Sequence, residues 1–206
     1  MFYSDISAGV LVQDIENELN IAPHFPASTF AGIINSVEQL LYSEIIREIK
    51  GVDCSSIVSA DGIIDLSQIP VGDGEDHVKC SDVTRILLSN GSVFTDLIRL
   101  DADEAKINGY KYFYTLHSPD KISVNNDYIN YTVFYVIRPK PKTVTGNFFI
   151  PDRIYLPDEF IPLLSARIRG ELCKLIGDDN QAAKWLNDYN TYLDDFTLFI
   201  NGRNRL

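Results

Sequence analysis

The spacing of apolar residues changes twice along these 206 residues, from helical to alternating and back to helical. That order restricts the fold more than any single motif does, because each period suits only one kind of element. Residues 8 to 20, AGVLVQDIENELN, set Val10, Leu11, Ile15 and Leu19 at helical spacing and predict a short amphipathic helix. PHFP at 23 to 26 stops it, and Ser28 or Thr29 offers an N-cap for a longer helix to about Lys50. Phe30, Ile33, Ile34, Val37, Leu40, Leu41, Ile45 and Ile49 would cover one broad face of that second helix.

From 51 to 82 the chain turns to short β-like runs broken by turn chemistry. Ala60-Asp61-Gly62 reads as a hairpin connection between SSIVS and IIDLS. Asn90-Gly91 lies between two apolar runs, a strong hairpin signal because both residues tolerate positive φ. KYFYTLH and KISVN lead into YINYTVFYVIRP. There Ile129, Tyr131, Val133, Tyr135 and Ile137 alternate with Asn130, Thr132, Phe134, Val136 and Arg138, a period of two. Residues 83 to 138 therefore predict an antiparallel sheet.

KPKTVTGNFFIPDRIYLP, 140 to 157, is a proline-punctuated connector. Asp158 and Glu159 then sit where a helix N-terminus favours negative charge. Pro162 is tolerated only inside the first turn, so the regular helix should start near 159. Phe160, Leu164, Ile168, Leu172, Leu175 and Ile176 form its apolar stripe. Gly177 reads as the residue past its end, and Asp178 or Asp179 as the N-cap of the next helix. That last helix sets Ala182, Trp185, Leu186, Tyr189, Tyr192, Leu193, Phe196 and Ile200 on one face. If the Trp185 ring is fully buried, its removal should cost about 3–5 kcal/mol. Contiguous strands between helices predict an α+β fold. It comprises N-terminal helices over 1–50, a central antiparallel β-sheet over 51–139, and a connector, C-terminal helical hairpin and short tail over 140–206. The helices are expected to pack together in one structural domain.

Apolar content of 45% and charged content of 23% suit a folded chain rather than a disordered one. The formal charge of −11 argues against a surface that grips phosphate backbones, which requires Lys and Arg at the contact. A passage lined by such charge would let DNA slide without sticking. Cys54, Cys80 and Cys173 are odd in number and far apart, with no zinc-type spacing, and are expected to be reduced core residues. MFYSDISAGV lacks a basic n-region, and no apolar run approaches the ~18 residues of a membrane span. Cytosolic synthesis and no membrane partner are expected.

The chemistry-bearing clusters are few. GDGEDHVKC, 72 to 80, gathers Asp73, Glu75, Asp76, His77 and Cys80, which offer either a cation site or a solvated turn. A small hydrolase using Asp73, Glu75, Asp76 and His77 with a divalent ion is the enzymatic alternative. LDADEAK holds Asp101, Asp103 and Glu104, acids suited to the start of a short helix. His24, His77 and His117 stand apart, and neither a nucleophile elbow nor a phosphate-binding loop occurs, so no cofactor and no catalytic residue is nominated. The eleven Tyr and eleven Phe fall mostly on periodic core faces without interleaved Lys or Arg, which favours packing over stacking on bases. Arg167, Arg169, Glu171 and Lys174 make a mixed-charge helix face, either solvated or a subunit contact. NGRNRL at the end reads as a free tail or a docking peptide.

The order of these segments resembles the head-to-tail adaptor proteins of tailed bacteriophages, also described as tail accessory or head-completion proteins. Four stretches carry the resemblance: the long helix followed by SADGIIDLSQIP; DVTRILLSNGSVFTDLIRLDADEA; YKYFYTLHSPDKISVNNDYINYTVFYVIRP; and IYLPDEFIPLLSARIRGELCKLIGDDNQAAKWLNDYNTYLDDF. Together they span roughly residues 28 to 200, while residues 1 to 27 and GDGEDHVKC depart from the family pattern. The resemblance implies a virion structural protein without catalysis. Copies would form a ring, commonly of twelve, below the portal protein and above the tail proteins in the virion neck, after assembly in the host cytoplasm. Genomic DNA would pass through the lumen without specific binding. By position, Arg203, Asn204, Arg205 and Leu206 become portal-contact candidates, and Arg167, Arg169, Glu171 and Lys174 subunit-interface candidates. A stopper or tail-completion protein of the same neck is the nearest alternative.

Overall fold

Two spans from opposite ends of the chain build one unit, residues 1–46 with 139–206, and the span between them, 47–138, builds the other. The computed structural model describes residues 1–19, 25–90, 93–101, 110–124, 130–146 and 148–203. Its architecture is α+β, with N-terminal helices, central sheets and a packed C-terminal helix pair.

Helix α1 (Ala8–Glu18) is capped by Ser7, whose Oγ accepts from the Val10 N–H at 3.2 Å. It buries Ala8, Leu11, Val12 and Ile15, so Val10 of the expected face points outward. Helix α2 (Ala27–Leu40) begins one residue before the expected caps. Pro26 holds the N-cap position without a side-chain bond, and its fixed φ of −64° sets the entry angle. The helix widens into a π turn over Leu41–Ile46, Arg47 adopts a left-handed φ of 45°, and strand β1 (Ile49–Asp53) follows. The expected helix to Lys50 is thus too long. Ile49 continues the helical spacing only by coincidence and lies exposed on β1.

The second unit contains β2 (Ile63–Asp65), β3 (Val83–Asn90), β4 (Val93–Asp96), β5 (Ile98–Arg99), β6 (Phe113–Ser118), β7 (Lys121–Val124) and β8 (Tyr131–Val136). Tyr131, Val133 and Tyr135 turn inward as their alternation predicts, beside Ile86 and Leu88 of β3. The strands form two sheets, ordered β1-β8-β3-β4 and β2-β7-β6-β5, rather than one antiparallel sheet over 83–138. The second sheet contains a parallel pair, β5 with β6. The chain changes sheets at Leu97: its N–H donates to Ile86 O, whereas the next N–H, of Ile98, donates to Tyr112 O. Gly62, at φ 71°, closes the expected turn, where the Ser59 N–H donates to Ile63 O at 2.9 Å. Beyond that turn β2 pairs with β7. Asn90 stands opposite Val93 in register, while Gly91 lies outside the described residues. Gly51 lets the Phe134 ring lie on the β1 backbone, because a Cβ there would meet Phe134 Cε1 at 2.7 Å.

Returning to the first unit, the connector forms a two-stranded ribbon, β9 (Thr143–Thr145) with β10 (Phe148–Ile150). A buried polar cluster ties it to α2. Lys142 Nζ meets Glu38 Oε2 at 2.5 Å, and the Tyr155 N–H donates to Glu38 Oε1 at 2.9 Å. Asn35 closes the other side, accepting the Lys142 N–H at 2.7 Å and donating from Nδ2 to Lys142 O at 2.9 Å. Burial pushes the Glu38 carboxyl up and the Lys142 ammonium down, and each is opposed by the other's charge.

A 3₁₀ turn over Asp158–Phe160 leads into α3 (Ile161–Ile176), with Pro162 in the first turn as its chemistry requires. Gly177 ends it at φ 82°, the left-handed cap the sequence predicts. Asp178 Oδ1 then accepts from the Gln181 N–H at 3.0 Å and starts α4 (Asp179–Arg203). Gly170 lets the two helices approach closely, since a Cβ there would meet Leu186 side-chain carbons at 2.8 Å. Leu164, Ile168 and Leu172 are buried, but Leu175 and Ile176, placed on the same stripe, are 59% and 54% exposed. They fall in the last turn of α3 before the left-handed cap.

Lys142→Met leaves the Glu38 carboxylate buried without a counter-charge and should cost about 3–5 kcal/mol in urea unfolding at pH 7. Glu38 already has a raised pKa in the fold, and losing Lys142 raises it further. A raised carboxyl stabilises the fold below its unfolded pKa and loses that contribution as pH rises, so the defect should shrink toward pH 4. Equal destabilisation at both pH values would contradict the pairing. In the second unit, burial pushes the Cys54 thiol up to about 11. The unfolded thiol ionises near 9, so stability should fall between pH 9 and 11, by at most about 1.4 kcal/mol per unit. Cys54→Ala should flatten that part of the unfolding profile.

Candidate interaction surface

The acidic turn turns its carboxylates back on its own backbone and neighbours. Glu75 accepts from the Gly72 N–H at 2.8 Å and pairs with Lys50 at 3.3 Å. Asp76 Oδ1 accepts from the His77 N–H at 3.0 Å and lies 3.0 Å from His77 Nδ1, while its Oδ2 faces Lys79 at 3.5 Å. The Cys80 thiol donates to Ser118 O at 3.1 Å. Each group serves a local loop bond, and among the described residues no three His, Cys, Asp or Glu side chains converge as a metal cage. Asp103 and Glu104 lie outside the described residues, as does His24. All three cysteines are buried free thiols.

The charged face of α3 divides in two. Arg169 is an internal brace: its guanidinium pairs with the Glu18 carboxylate of α1 and lies 4.7 Å from the centre of the Trp185 ring of α4. Only 16% of its side chain is exposed, so it has little left to offer a neighbour. Arg167, Glu171 and Lys174 stay at the surface. Arg167 Nη2 pairs with Glu171 Oε1 at 2.9 Å, the expected i,i+4 contact, and Lys174 reaches the same oxygen at 3.5 Å. The Arg167 guanidinium also rests 5.2 Å from the Tyr189 ring centre. Arg203 lies against its own unit, 4.9 Å from the Phe2 ring and 5.8 Å from Phe199, while Asn204, Arg205 and Leu206 lie outside the described residues.

Sequence periodicity gave no sign of what lies between α2 and α3. An open groove of about 380 Å³ runs there, with Gly32, Ile33 and Ser36 on one side and Arg167, Glu171 and Leu175 on the other. Nothing lies within 4 Å of where a Gly32 Cβ would stand. The outer face of α4 is a second surface. Ala182, Tyr189, Phe196 and Ile200 turn inward, and the opposite stripe of Asn187, Thr191, Asp194 and Leu198 is exposed. Leu198 is 69% exposed, an apolar knob among polar neighbours. On the connector ribbon, Phe148 and Ile150 point outward while Phe149 points in. Among the described residues no helix is long and apolar enough to cross a membrane.

Trp185 is half-buried beneath Arg169 rather than enclosed, so Trp185→Ala should cost about 1–3 kcal/mol, less than a fully buried ring. A double-mutant cycle with Arg169→Ala should give a coupling of about 0.5–1 kcal/mol in chemical unfolding. Additive losses would show that the ring and guanidinium do not act on each other.

No model of a known protein family matches the chain, and no curated protein matches it.

Proposed function

We propose that this chain is a head-to-tail adaptor of a tailed bacteriophage, in which copies form a ring between portal and tail around the DNA passage. The observation that carries the reading is the unspent apolar surface of the terminal helix pair. After the two helices have filled their own core, Leu175, Ile176 and Leu198 remain more than half exposed beside a charged rim. Side chains of this kind, set among polar neighbours, suit contacts with other protein surfaces. The order of four segments resembling the adaptor family supports the same reading, as does the α+β arrangement in which those segments fall. The carboxylates of the acidic turn hold their own loop together, which fits a structural part better than a hydrolytic centre.

A ring of identical subunits requires two different patches on each copy, joined by a rotation that closes. The acidic chain, at −11, suits a lumen that repels rather than binds the genome. Mixing the purified protein with portal rings of its own virus and imaging the product by electron microscopy tests the proposal. A closed ring of about twelve copies seated on the portal is expected. Portal rings without added density would reject it, and a ring that seats only below a pre-formed adaptor would assign the chain to another position in the neck.

A further inference from the structure

We infer that the outer stripe of α4 docks into the α2–α3 groove of the neighbouring copy, making the subunit contact of the ring. This rests on the ring reading above and names the two patches it needs.

Charge is the first argument. Within an acidic chain α3 is a basic island, with Arg167, Arg169 and Lys174 against Glu171 alone. From Asn187 to Gly202, α4 carries Asp188, Asp194 and Asp195 and no Lys or Arg. One copy therefore shows a cationic rim and an anionic ridge on different helices. Opposite surfaces on a single subunit are what a head-to-tail contact requires, whereas like copies of either face would repel.

Shape is the second. The stripe from Asn187 to Leu198 spans about 16 Å, and the groove wall from Ser28 to Ser36 about 12 Å, so two to three helical turns can lie along it. The open space over Gly32 admits a close helix, and Leu198 fits between Ile33 and Leu175, covering both exposed leucines. Asp194, one turn before Leu198, then comes beside Arg167. Asn187 and Thr191 meet a wall that offers the hydroxyls of Ser28, Thr29 and Ser36.

The test uses full-length chains, alone at rising concentration and on portal rings, read by sedimentation and electron microscopy. Gly32→Leu fills the groove while favouring the helix, so its thermal midpoint should hold or rise as ring assembly falls at least tenfold. Arg167→Glu and Asp194→Arg should each abolish rings, and the double swap within one chain should restore them. Rings from the Gly32→Leu chain, or from both single reversals, would overturn the inference. So would a Gly32→Leu chain that still rings but no longer binds portal, since the groove would then belong to the portal. A wild-type chain that never assembles, alone or on portal, would instead overturn the adaptor reading itself.

Discussion

The buried contact between Glu38 and Lys142 is the constraint on which the helical unit depends. That unit is assembled from two segments separated by the entire β-containing span, so its second half must find its place on α2 without local guidance. Apolar packing alone tolerates slippage, because it is proportional to area and indifferent to direction. The polar cluster is directional. Glu38 takes one donor from Lys142 and one from the Tyr155 backbone, while Asn35 brackets the Lys142 peptide on both sides. Those bonds can all form in one register only. Two buried charges cost free energy to desolvate, and their attraction offsets that cost at close range rather than adding a surplus. Their contribution is therefore to uniqueness: they fix where the connector lands, and with it where α3 begins.

Everything that followed from neighbours in sequence was legible. Gly177 and Asp178 announce the break between the last two helices because a left-handed cap and an N-cap are local requirements. The alternation through Tyr131, Val133 and Tyr135 announces a strand with one buried face because pleating is local too. What was missed depends on partners far away. Lys142 sits in a stretch that reads as solvated connector, and its partner is 104 residues earlier. The two-residue strand β5 is too short for any pattern, and its parallel pairing comes only from the switch of backbone partners at Leu97. Ile49 shows the converse error, a residue whose spacing fits one element and whose pairing, with Val136, belongs to another.

The charged face of α3 was legible in position but not in role. Arg167, Arg169, Glu171 and Lys174 occupy adjacent turns, and nothing in their order distinguishes them. Only the fold does so, by bringing Glu18 from 151 residues away onto Arg169 and Trp185 beneath it. One cation thereby becomes an internal tie among three helices, and the others are left to define an outward rim. The groove beside that rim was likewise invisible, since it exists only because α2 and α3 diverge over residues that leave room, Gly32 foremost.

Net charge and local charge make opposite demands on an assembling chain. At −11, copies repel one another in bulk, which keeps the free chain soluble and discourages random contact. That repulsion is screened beyond about 8 Å at physiological ionic strength, whereas charges brought into direct contact are screened far less. A small basic patch can therefore decide how acidic copies meet, provided that apolar side chains close the contact and exclude water around it. Arg167 and Lys174 lie on the same helix as Leu175 and Ile176, so charge and unspent apolar surface occupy one neighbourhood. Elsewhere the acidic surface has no such pairing on α4, where Leu198 is bordered by Asp194 and Asp195. Attraction between unlike patches and repulsion between like ones then favour a single head-to-tail arrangement, and a head-to-tail contact repeated by rotation is what closes a ring.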